Sequence, residues 1–77
     1  MSKRIKALNR EKYNKELIEL INNNDDFMLE KITDYCKRII RKQDGARIDF
    51  FISSRKFHNI ETGERGMCEV KEVLDQF

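Results

Sequence analysis

Cys36, His58 and Cys68 are the side chains of this sequence best suited to nucleophilic or metal chemistry. Cys68 follows the only histidine by 10 residues, a spacing compatible with a dyad in which the imidazole takes the thiol proton. Such a base needs a third group to orient it, and none is evident, so structural roles are the plainer reading. As metal ligands the three lie 22 and 10 residues apart, whereas structural zinc sites bring their ligands in close pairs. No catalytic, cofactor-binding or metal-ligating residue is therefore assigned, and the chain reads as a non-enzyme. The two cysteines follow no CxxC spacing and read as packed thiols of a reducing compartment, with the cytoplasm as the expected location.

A second chemistry is suggested by Gly63-Glu64-Arg65-Gly66, a GxxG stretch of the kind that clamps a nucleic-acid backbone through close amides. Glu64 would repel phosphate, and a four-residue pattern with two free positions specifies little. A solvated turn is the better reading.

Charge offers two further candidate surfaces. Residues 1 to 58 carry 14 Lys and Arg against 9 Asp and Glu, while residues 59 to 77 carry 2 against 5. In the acidic part, Glu61, Glu64, Glu69 and Glu72, with Arg65 among them, form a candidate protein-binding strip that would steer a basic partner. In the basic part, Lys31, Lys37, Arg38, Arg41, Lys42 and Arg47 form a candidate nucleic-acid surface, extended by the Ser2 to Lys6 stretch and by Arg55-Lys56. The plainer readings are a solvated face for the first and cations near a helix C-terminus for the second.

Elements must exist to position these groups. With 77 residues, 39% hydrophobic and 39% charged, the chain fits one small domain, 1–77, with a thin core. Its longest apolar runs, such as Phe50-Phe51-Ile52, are far too short for a membrane span. Tyr13, Leu17, Leu20 and Ile21 fall on one stripe of a helix over about 10–22, which the Asn22 to Asp26 run should stop. Met28, Ile32, Tyr35, Cys36, Ile39 and Ile40 fit a second helix over about 26–43, closed by Gly45.

After Gly45 the period changes, and Ile48, Phe50 and Ile52 alternate with polar residues in a strand over about 46–60. Ile60-Glu61-Thr62-Gly63 suits a turn with Gly63 in the left-handed region, which leads to a return strand over about 65–74. That register sets Phe57 opposite Met67, Arg55 opposite Glu69 and Phe51 opposite Val73. The expected fold is α+β, with two antiparallel N-terminal helices on a C-terminal hairpin (ααββ). The alternative is ααβα, because Met67, Val70, Val73, Leu74 and Phe77 also share one helical side.

Together these features point to a small interaction protein that binds a partner protein and modulates or inhibits it by occluding a functional surface. Regulators from phages and mobile elements are a natural instance of that class. The alternative is nucleic-acid binding through the basic face of the second helix. A two-stranded sheet is marginal by itself, which favours a homodimer.

Overall fold

The computed structural model describes residues 3–77, with side chains from residue 9 onward, so the basic side chains of Ser2 to Lys6 lie outside the described residues. One long helix, α1 (Lys3–Asn22), is followed by a five-stranded antiparallel sheet in meander order. Its strands are β1 (Phe27–Lys31), β2 (Cys36–Arg41), β3 (Arg47–Phe51), β4 (Lys56–Asn59) and β5 (Arg65–Met67). A short 3-10 helix, η1 (Val70–Gln76), closes the described chain.

The expected ααββ arrangement is overturned, and so is ααβα. Helix α1 is present and ends at Asn22, where the Asn24 side chain donates to the Leu20 carbonyl at 2.7 Å and draws the chain out of the helix. There is no helix over 26–43. That stretch is the hairpin β1–β2, in which Leu29 pairs with Ile39 and Met28 with Ile40. Its turn is built by Thr33, whose hydroxyl accepts the Tyr35 and Cys36 amides at 3.1 and 3.0 Å. The adjacent apolar residues Ile39 and Ile40 mimic a helical stripe because one faces the core while the other faces outward.

The strand expected over 46–60 is also two strands. Three hairpins share one turn geometry: the Gly45 amide donates to the Arg41 carbonyl, the Arg55 amide to Phe51 and the Gly63 amide to Asn59, each four residues back. The residue at the fourth position takes a left-handed backbone in every case, with φ of 74° at Gly45, 60° at Arg55 and 77° at Gly63. Glycine reaches that region without steric cost, whereas Arg55 does not. The Gly63 turn is where the sequence places it, but Phe57 pairs with Gly66 rather than Met67, a slip of one residue. The return arm ends at Met67, and Val73, expected opposite Phe51, turns inward from η1.

The core lies on one face of the sheet. Ile39, Ile48, Phe50 and Phe57 from the strands meet Leu17 and Ile21 of α1, Ile52 of the β3–β4 turn, and Val70 and Val73 of η1. Leu17, Ile39, Ile48, Phe50 and Val73 are fully enclosed, and truncating any large member to alanine should cost about 2–5 kcal/mol. The end of the chain packs here too, with the Phe77 ring 5.2 Å from Phe27. Five strands covered by two helical segments bury a core within one chain. The two-stranded sheet that motivated a dimer is not what forms.

Asn59 is the one buried polar residue among those described, 3% exposed. Its Oδ1 accepts the Glu61 and Thr62 amides at 3.0 and 3.2 Å, and its Nδ2 donates to the Gln76 carbonyl at 2.9 Å. Every polar atom of the side chain is thus used, as burial requires. The β4–β5 turn and η1 are tied together through this amide.

Candidate functional site

Strand alternation sends Met28 and Glu30 of β1, Arg38 and Ile40 of β2, Arg47, Asp49 and Phe51 of β3, Lys56 and His58 of β4, and Arg65 and Met67 of β5 to the face opposite the core. Helix α1 and η1 both pack on the core side, and no described element crosses this outer face. Met28, Phe51 and Met67 remain 50%, 40% and 61% exposed.

Across it runs a charged row in register: Glu30, Arg38, Asp49, His58 and Arg65. Arg38 and Asp49 pair at its centre, and this bond raises the Arg38 pKa. A second row sets Cys36, Phe51, Lys56 and Met67 side by side. Between the rows at the β5 end lies an open groove of about 540 Å³, lined by Phe51, Ser54, Lys56, Phe57, His58, Arg65, Gly66 and Met67. Its walls are apolar and its polar rim holds two cations and an imidazole, with no carboxylate among the lining residues.

The other arginines whose side chains are described are engaged. Arg38 pairs with Asp49, Arg41 with Asp44, Arg47 with Glu61 and Arg55 with Glu69, while Arg10 stacks on Tyr35 at 4.7 Å. Arg65 has neither an ion pair nor an aromatic partner among the described residues, and Lys56 has no ion pair among them. Two cations without an ion pair among the described residues thus stand beside an apolar groove, whereas Lys12, Lys15, Lys37, Lys42 and Lys71, likewise without one, do not line it.

The expected acidic strip does not form along one arm. Glu61 pairs with Arg47 at 3.2 Å, Glu69 pairs with Arg55, Glu72 sits in η1, and Glu64 and Arg65 stand exposed at the start of β5. The expected basic face of a second helix is dispersed with that helix. Lys31 pairs with Asp34 at 3.0 Å, Lys37 and Arg41 have core-side parity, Arg38 and Arg47 are on the outer face, and Lys42 is in a turn. Of the two sets Arg65 lines the groove, and so does Lys56 of the Arg55-Lys56 extension.

The two glycines of the GxxG stretch have separate roles. Gly63 turns the chain, and Gly66 lies in β5 against the ring of Phe57, whose Cε1 would stand 3.1 Å from a Cβ at position 66. His58 and Cys68 are not brought together as a dyad: His58 is on the outer face, whereas Cys68 packs against the core. Burial, then Glu72, Glu69 and Asp75, push the Cys68 thiol up to about 11, and burial likewise raises Cys36. Among the described residues no three His, Cys, Asp or Glu side chains gather as a metal site would require. No described helix is long and apolar enough to cross a membrane.

Compared with known proteins, the chain matches no family model, no curated protein and no solved structure.

Phe51, Lys56, His58 and Met67 were not singled out together by sequence reasoning because they come from three strands. The signal present in the sequence is local. In Lys56-Phe57-His58-Asn59 the alternation of charged and buried residues marks a short strand with one wet face.

Proposed function

We propose that this chain is a small non-enzymatic interaction protein that seats a partner protein on the open face of its sheet and modulates that partner by covering a functional surface. The observation that carries the reading is the groove between Phe51 and Met67, apolar and rimmed by unpaired Lys56 and Arg65, on a face that no described element covers. Exposed apolar surface rimmed by charge is what protein interfaces present before they are filled.

A protein partner suits this surface better than a nucleic acid. The dispersed basic residues Arg38, Arg41, Arg47 and Arg55 are already held by carboxylates, and Glu64 precedes Arg65 in the chain. A long polyanion would meet those carboxylates along with the cations.

The test is site-specific photocrosslinking in the native host. A benzophenone side chain at Phe51 is compared with one at Ile18, which is exposed on α1. The expected result is one protein crosslinked from position 51 and not from 18, unaffected by nuclease, whose purified form binds the chain and is lost on Phe51→Glu. Crosslinks from position 18 alone, or products that disappear with nuclease, would overturn the reading.

A further inference from the structure

Cys68 donates its amide to the Arg55 carbonyl, and the Asn59 amide donates to the Glu64 carbonyl, at 3.1 and 2.8 Å. Antiparallel pairs alternate between bonded and non-bonded positions, so Gly66, midway between Glu64 and Cys68, is the third residue bonded to β4. The amides and carbonyls of Arg65 and Met67 therefore point away from β4, towards the free edge of the sheet, and neither residue makes any other backbone hydrogen bond within the described chain. Beside that edge lie the groove and its two unpaired cations.

We infer that β5 receives an extended, acidic segment of the partner as a sixth strand. The inference rests on the docking reading above and specifies its chemistry. An edge strand with free amides and carbonyls is completed by another strand, whose alternate side chains enter the pockets of one face. The row of Phe51, Lys56 and Met67 continues into the incoming residue opposite Met67, and the row of His58 and Arg65 into the residue opposite Arg65. The first of these is apolar, resting against Met67. The second is a carboxylate, meeting Arg65 in a rim that has no acid of its own. The recognised pattern is thus an apolar residue and an acidic residue two apart, apolar first if the segment runs antiparallel to β5 and acidic first if it runs parallel. The residue between them passes Gly66, whose lack of a side chain lets the Phe57 ring lie against β5, its Cε1 3.1 Å from where a Cβ would stand.

Fluorescence anisotropy with the whole chain tests this. The probes are two labelled nine-residue peptides with centres reading Leu-Thr-Glu and Glu-Thr-Leu, their lysine-for-glutamate versions, copies N-methylated at alternate amides, and a twelve-residue oligothymidylate. One acidic peptide should bind, with its lysine version at least about tenfold weaker, as charge reversal at an interface implies. N-methylation in the register that faces β5 should remove binding. Arg65→Glu should weaken it to the same degree as the lysine probe. Met67→Pro removes only an outward amide, a substitution that edge strands accept, and should abolish binding while the thermal melt is kept.

Binding that survives Met67→Pro and N-methylation would overturn strand addition, and equal binding of the lysine probe would overturn the acidic requirement. Binding of the oligothymidylate alone would replace the peptide with a nucleic acid. Binding of no probe, with sedimentation showing a dimer abolished by Met67→Pro, would give the edge to a second copy. Silence from every probe with a monomer overturns the inference as well. If that happens while the Phe51 crosslink stands, the docking face is retained and only its strand-addition mode is lost.

Discussion

Arg38 and Asp49 face each other across β2 and β3 and share two hydrogen bonds, Nε to Oδ1 at 2.8 Å and Nη2 to Oδ2 at 3.2 Å. This is the fork geometry in which guanidinium and carboxylate fit best, and it sits at the middle of an otherwise open sheet face. The side chains are 27% and 16% exposed, so water screens the pair only in part.

Removing one partner should therefore cost more than removing both. Arg38→Met leaves a half-buried carboxylate without its donor and should destabilise the chain by about 1–3 kcal/mol. Adding Asp49→Leu should recover part of that loss, giving a coupling energy of about 1 kcal/mol in a urea double-mutant cycle. Additive effects would show that the pair is only a surface contact.

Arg55 occupies a position where the two sister turns have glycine, and its φ of 60° carries a steric penalty. Its guanidinium lies 5.2 Å from the Tyr13 ring and is bonded to Glu69, so one strained residue links the β3–β4 turn to α1 and to the approach to η1. Arg55→Ala keeps the strain and loses the contacts, whereas Arg55→Gly relieves the strain. The glycine variant should be more stable than the alanine variant by about 1 kcal/mol in chemical denaturation, as left-handed positions predict. Equal stabilities would mean that the turn relaxes out of the left-handed region.

Asp44 receives both nitrogens of the Arg41 fork at 2.6 and 3.0 Å and the Ala46 amide at 3.1 Å. The Arg41 bond first and the backbone amide second hold its carboxyl down, from 3.8 to about 2. Because the folded value lies below the unfolded one, the folded chain binds this proton more weakly. The contribution is fully present above about pH 4 and is lost as pH falls towards 2. Asp44→Asn should lower stability at pH 7 and flatten the acid limb between those values, read as urea midpoints at each pH. An unchanged acid limb would exclude this turn as its source.

Cys68 is partly accessible, yet its thiol is raised from 9.0 to about 11 by burial and three nearby carboxylates. A two-unit rise means about a hundredfold less thiolate at neutral pH, and alkylation proceeds through the thiolate. Iodoacetamide at pH 8 should modify Cys68 at least about tenfold more slowly than free cysteine, the loss of thiolate being partly offset by its greater nucleophilicity, and Glu72→Gln should speed it. Rapid labelling at pH 8 would restore the nucleophile reading.

Helix α1 was legible because Tyr13, Leu17, Leu20 and Ile21 repeat over enough turns to exclude a strand, and the asparagines after it act locally. The β1–β2 hairpin was not, because Met28, Ile32, Tyr35, Cys36, Ile39 and Ile40 satisfy a helical period by coincidence of two faces. Thr33 makes the turn through its hydroxyl, a contact that spacing does not reveal. The Gly63 turn was legible from its glycine, and the Ile52-to-Arg55 turn was hidden because arginine fills the same backbone role. Hence β3 and β4 read as one strand. Arg65 could be nominated from its exposed setting, but its meeting with Phe51, Lys56 and His58 depends on the order of three strands. No count along the chain contains that.

The side chain of Asn59 joins the loop that leads into β5 to the last turn of η1, and it lies in the strand between them and the core. A carboxamide in this position acts as a rivet: the loop and the Gln76 carbonyl are held by the same β4 side chain, so displacement of either is felt by the other. The rim that would meet a partner and η1 are thus joined through one side chain, and whatever grips the one stiffens the other.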